Sequence, residues 1–197
     1  MGKNSKGGGP GKGDGGKGAT GPSSASSGAS GFSLELREGC VALLRFRSRD
    51  GMNALLDPLS NAAEGVIANR LGHNFALIDG NKLHSDFRRA AGLPKQARYL
   101  IATLDGDAHS IRHEMCHARY HLQPEYRDTV QRVWTECLAA AQRDAITAFL
   151  NRLKYDAVVH LDEFQAYLVT EKPNFFGMDL GEAQQRLAAS FAPGSWR

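Results

Sequence analysis

The stretch Ile111-Arg112-His113-Glu114-Met115-Cys116-His117 holds the residue types most capable of chemistry in this chain. Its H-E-x-x-H spacing has a mechanical meaning. On a helix, His113 and His117 stand one turn apart on the same side, where two neutral imidazoles can hold Zn²⁺. Glu114, beside the first of them, can then reach a zinc-bound water. With seven His and nine Glu in the chain, a chance match is roughly a one-in-a-hundred event. The rest of the sequence has to supply a helix, a third ligand and a core.

A zinc site that does chemistry needs three protein ligands and an open position. His109, His113, His117 and His121 recur every four residues, but one helix cannot present three of them to one ion. Residues i and i+8 are about 12 Å apart along the axis and rotated by about 80°. His109 and His121 are therefore read as surface histidines near the helix ends. The third ligand should come from another element. On a helical wheel of residues 160–168, Leu161, Phe164 and Leu168 share one face, and His160, Glu163 and Tyr167 share the other. Glu163 is the first choice for the metal, followed by His160 and then Asp162.

The expected metal set is thus His113, His117 and Glu163, and the catalytic set is Glu114, Tyr167 and His160. Glu114 would act as the base. Tyr167 and His160, with Tyr155 behind them, are candidate donors to a developing oxyanion. Asp162 or Asp107 could orient a ligand imidazole. Cys116 points away from the histidines on the wheel and reads as a small buried hydrophobe.

Several elements have to position these residues. Phe32, Leu34 and Leu36 alternate with polar residues, Glu38-Gly39 punctuates, and Val41, Leu43 and Arg45 continue, which predicts a β-hairpin. Asp57-Pro58 predicts a helix start, with Leu59, Ala62, Ala63, Val66, Ile67 and Leu71 on its apolar face and Gly72 as its stop. Asn74–Ile78 is expected to be a strand and Lys82–Ala91 a short helix. Arg98–Leu104 (RYLIATL) is a buried or half-buried strand leading into the motif. Asp107 or Ser110 can cap the motif helix, and Pro124 limits it to about Leu122. Ile111, Met115, Ala118 and Leu122 then face the core, roughly opposite the histidines. A long helix is predicted from Glu125 to about Leu153, a short one from Leu161 to Val169, and a last one from Leu180 to Phe191.

Composition bounds the remainder. The chain of 197 residues carries a net charge of +3, and Lys3, Lys6, Lys12 and Lys17 against Asp14 account for all of it. The remaining chain is neutral, so a nucleic-acid-binding core is not expected. Residues 1–31 are Gly, Ser and Lys with few apolar side chains and predict a disordered tail. Residues 32–197 then form one domain. No run approaches the ~20 apolar residues of a membrane span, and three cysteines without a C-x-x-C pair suit a reducing compartment, cytoplasmic or nuclear.

The H-E-x-x-H motif with a later Glu resembles the zincin metallopeptidases, and within them the gluzincin arrangement. There a small residue often stands three places after the Glu ligand, as in Glu163-x-x-Ala166. The resemblance implies Zn²⁺ as cofactor, a peptide or protein as substrate, and a zincin-like helical core. It also implies a strand just before the motif helix whose edge pairs with the substrate, the place taken by Arg98–Leu104. His113 to Ala118 (HEMCHA) is similar to SprT-like proteases too, whose third ligand is a His shortly downstream, a place only His121 could fill here. The expected fold class is α+β, a small N-terminal sheet with an edge strand beside the helical core. The expected function is a zinc-dependent hydrolase, most simply a metallopeptidase. The alternative is a non-catalytic, zinc-stabilised interaction module.

Overall fold

A computed structural model describes residues 31–64 and 71–190 of the chain. Almost all of the predicted disordered tail, and the predicted helical positions Val66, Ile67 and Phe191, lie outside the described residues. The described residues form the expected α+β arrangement, with a four-stranded sheet and helices on both of its faces.

The hairpin is β1 (Phe32–Arg37) and β2 (Val41–Phe46), paired antiparallel from Phe32↔Phe46 to Arg37↔Val41. Glu38 and Gly39 both take positive φ, at 49° and 70°, as a tight turn between twisted strands requires. The remaining strands are β3 (His73–Ala76) and β4 (Tyr99–Leu104), and the sheet order is β1-β2-β4-β3. β4 runs parallel to β2 and antiparallel to β3. The strand before the motif is therefore internal, which corrects the expectation that its edge is open to a substrate. Its near-continuous apolar sequence reflects burial on both faces of the sheet, where no polar alternation is needed. The outer edge on this side of the sheet belongs to β3.

The two faces of the sheet have different partners. Ala42, Leu44, Phe46, Leu100 and Ala102 pack with Phe75 against α1 (Arg49–Glu64) and α2 (Lys82–Ala90). Val41, Leu43, Tyr99 and Ile101 pack against α3 (Ala108–Leu122). α1 begins before the predicted Asp57-Pro58 start and carries Pro58 in its interior. Ser48 provides the overlooked start signal, since its hydroxyl accepts from the Gly51 N–H at 3.2 Å. Met52, Leu56 and Leu59 are buried at helical spacing, and that packing outweighs the hydrogen bond lost at proline.

A helical layer completes the structure. The predicted long helix is instead two, α4 (Pro124–Arg132) and α5 (Ala140–Arg152). Between them lie a π-helical turn (Val133–Cys137) and an extended Leu138, which is buried. No glycine or proline marks the break. The Arg143 side chain stabilises it by donating to the Trp134, Thr135 and Leu138 carbonyls, groups that a helix end would otherwise leave unpaired. Val130, Ile146 and Leu150 then pack around Phe164 and Leu168 of α6 (His160–Thr170) and Leu187 of α7 (Gly181–Ala189). Among the described residues no helix is long and apolar enough to cross a membrane.

Candidate metal centre

Asp107 begins the motif helix, accepting from the Ser110 N–H at 2.9 Å and the Ser110 hydroxyl at 2.6 Å. It is thus the cap of α3 rather than a partner of an imidazole. Ile111, Ala118, Met115 and Leu122 pack on the sheet as the wheel predicts. The other side of α3 meets α6, and there His113 and His117 bring their Nε2 atoms to 3.2 Å.

Glu163 comes to the same point from α6. Its Oε2 lies 3.8 Å from His113 Nε2 and its Oε1 3.7 Å from His117 Nε2. One ligand atom from each of these three residues lies within 4.8 Å of the others. In a tetrahedral zinc site with bonds of ~2.1 Å, ligand atoms stand about 3.4 Å apart, so the set is close to the needed separation. Glu163 Oε2 is buried with no hydrogen-bond partner among the described residues. An unpartnered carboxylate oxygen at that depth is costly unless a cation or donor meets it. Two imidazoles and a carboxylate are a donor set that suits zinc.

The electrostatics point the same way. Burial pushes the Glu163 carboxyl up to about 7, and the charges of Asp162 and Glu114 add to this against the opposing His117 and a hydrogen bond from Tyr155. Burial pulls the His113 imidazole down to about 4, helped by His117 and His109. Burial also pulls on His117, but its hydrogen bond to Asp162 and the charges of Asp162, Glu114 and Glu163 overcome this and raise it to about 9. A cation among these groups would relieve both the desolvation of Glu163 and its repulsion from the neighbouring carboxylates.

Each imidazole has a partner on its far nitrogen. Asp162 Oδ1 lies 2.8 Å from His117 Nδ1. Thr170 donates its hydroxyl to the Ala166 carbonyl at 2.7 Å and stands 3.4 Å from His113 Nδ1. Protons on the two Nδ1 atoms leave both Nε2 lone pairs aimed inward. Asp162 therefore lies behind His117 and outside the three-residue cluster.

Glu114 sits on the sheet side of the site. The Asn74 amide of β3 donates to its Oε2 at 2.5 Å, and the Tyr99 hydroxyl donates to Asn74 Oδ1 at 2.7 Å. A Cβ on Gly72 would lie 3.1 Å from the Ala102 carbonyl and 4.0 Å from Glu114 Oε1, so glycine keeps the backbone close beside the carboxylate.

The predicted oxyanion donors separate. The Tyr167 ring packs on His113 with centroids 4.8 Å apart, and its hydroxyl meets that of Tyr155 at 2.9 Å. Burial raises both phenols above their ordinary value, so both remain protonated donors. His160 is buried with Nε2 3.2 Å from the Tyr155 carbonyl and lies outside the three-residue cluster. At the first residue of α6 it faces the preceding turn. His109 pairs with Glu171 at 2.8 Å and His121 packs on the Tyr99 ring, so neither belongs to the cluster. Cys116 is buried, its thiol pushed up to about 12 by burial.

Sequence reasoning passed over Asn74, Thr170, Gln165 and Tyr126. Gln165 left a signal, a polar residue at helical spacing between Leu161 and Leu168 on the core face of α6. Asn74 left none, because its relation to Glu114 exists only through sheet pairing. No protein-family model matches the chain, and neither a curated protein nor a solved structure does.

Proposed function

We propose that this protein is a zinc-dependent metallopeptidase of the zincin type with a gluzincin-like ligand set. His113, His117 and Glu163 hold the metal and Glu114 moves the proton. One observation carries the reading: Glu163, from a separate helix, sets a buried and unpartnered carboxylate oxygen beside the paired imidazoles of the motif. Zinc, when bound, supplies Lewis acidity that makes water a nucleophile near neutral pH.

The protein's own residues divide the remaining work. Asn74 steadies the Glu114 carboxylate through Oε2, and Glu114 takes a proton from attacking water and returns it to the departing amine. The Tyr155 and Tyr167 hydroxyls share one hydrogen bond beside His113, and the hydroxyl proton that this pair does not use is the candidate donor to the oxyanion. No described strand pairs with the outer edge of β3, so an extended peptide could add there, next to Asn74 and Glu114.

Glu114→Gln tests the reading. It is expected to retain stoichiometric zinc and the fold while peptide hydrolysis falls by about 10²–10⁴-fold. Hydrolysis that survives the substitution would refute the mechanism. Wild-type protein that binds zinc but cleaves no peptide would favour a zinc-stabilised interaction module, and protein purified without zinc would remove the site.

A further inference from the structure

Gln165 is the only glutamine among the described residues with no exposed surface, and its neighbours along the core face are apolar. Both ends of its amide are used. Nε2 donates to Asp162 Oδ1 at 3.0 Å, and Oε1 accepts from the Tyr126 hydroxyl at 2.7 Å. The same Asp162 oxygen meets His117 Nδ1 at 2.8 Å. The line Tyr126–Gln165–Asp162–His117 thus runs from the core between α4 and α6 to the metal cluster.

The line has a direction. A flipped Gln165 amide would set its carbonyl oxygen against the Asp162 carboxylate, so only the amide nitrogen suits that end. The Tyr126 hydroxyl must then donate to Oε1. Asp162, with its side chain 25 % exposed, would otherwise be free to turn toward water. Gln165 anchors it from the dry side. A glutamine in an apolar core is poor folding chemistry unless both ends are paired, and a methionine would fill the same space.

We infer that Gln165 and Tyr126 are positioning residues that act through Asp162 to hold the His117 imidazole, with Nε2 turned inward, ready for the metal. This inference rests on the zinc reading above. It extends the site by two residues that touch neither metal nor substrate.

Zinc affinity, measured by chelator competition, and the melting temperature of the metal-free protein test it together. Gln165→Met, which keeps the volume, is expected to weaken zinc about tenfold without lowering the metal-free melting temperature. Tyr126→Phe is expected to weaken zinc in the same direction by a smaller factor. If Gln165→Met binds zinc as wild type does while Asp162→Asn binds weakly, the positioning role is overturned. Losses of stability and affinity in step in both variants would also overturn it, since that is the signature of a structural role. His117→Ala and Glu163→Gln serve as the separate control: if neither weakens zinc, the zinc reading itself fails.

Discussion

Two tyrosine–amide–carboxylate lines reach the motif helix, one from the sheet and one from the helical layer. On the sheet side, Tyr99 donates to Asn74 and Asn74 donates to Glu114. On the helical side, Tyr126 donates to Gln165 and Gln165 donates to Asp162. The chemistry of the links is the same but the endings differ. The sheet line stops at a carboxylate on the motif itself, where Asn74 holds Oε2. The helical line continues through Asp162 to His117. On the proposed reading the sheet line ends at the base, which has to gain and lose a proton. The helical line would end at a metal ligand, which has to stay in place, and Asp162 behind it is anchored in turn by Gln165.

The largest expected effect separates the proposed ligands from everything that supports them. Glu163→Gln or His117→Ala is expected to cost more zinc affinity than the roughly 10–100-fold typical of outer partners. Equal losses from ligand and supporting residues would erase the distinction between the two lines. Next in size, Asn74→Ala is expected to lower kcat by about tenfold while zinc affinity stays at the wild-type value. A loss of zinc in that variant would mean that the sheet line also serves the metal.

Titration sharpens the same contrast. In the folded, metal-free protein His117 titrates near 9, against an ordinary value of 6.5. The folded state therefore binds the extra proton between those values, and the stabilisation, complete below pH 6.5, is lost as pH rises through 9. The metal-free melting temperature is expected to fall from pH 7 to 9, with a loss of roughly 3 kcal/mol at most. Zinc affinity should rise over that range, because the ligand must be neutral. A flat melting profile would show that Asp162 does not hold a proton on His117.

The smallest effect lies where Tyr155 is launched. Lys154 takes φ 67° at the end of α5, while its N–H bonds the Asn151 carbonyl and the Tyr155 N–H bonds the Leu150 carbonyl. This is a helix end that prefers glycine. Lys154→Gly is expected to stabilise the protein by about 0.5–1 kcal/mol in denaturant unfolding, with the Tyr155–Tyr167 pair unchanged. Destabilisation would mean that the lysine side chain does more than occupy the turn.

Much of this was legible in advance, and the failures have physical causes. The two faces of α3 were readable because helical periodicity repeats within the segment itself. Glu163 was readable because it shares a stripe with Tyr167 opposite Phe164 and Leu168. The helical wheel sets His160 on that stripe too, yet the turn before α6 takes its ring to the Tyr155 carbonyl. The split between α4 and α5 was hidden because no local breaker causes it. Arg143 and the burial of Leu138 do.

By itself the sequence determined the local matters: a cap at Asp107 or Ser110, the apolar and histidine faces of α3, the tight turn at Glu38-Gly39, and the ligand-type residues of α6. Each depends on residues within a turn or two, where backbone geometry and periodicity act directly. Only the tertiary structure decided that β4 is internal, that Glu163 rather than His160 meets the two imidazoles, and that Asn74 and Gln165 stand behind Glu114 and Asp162. Those are pairings between distant segments. They are set by which apolar faces bury together, and side-chain hydrogen bonds form only once that packing has brought their partners within reach.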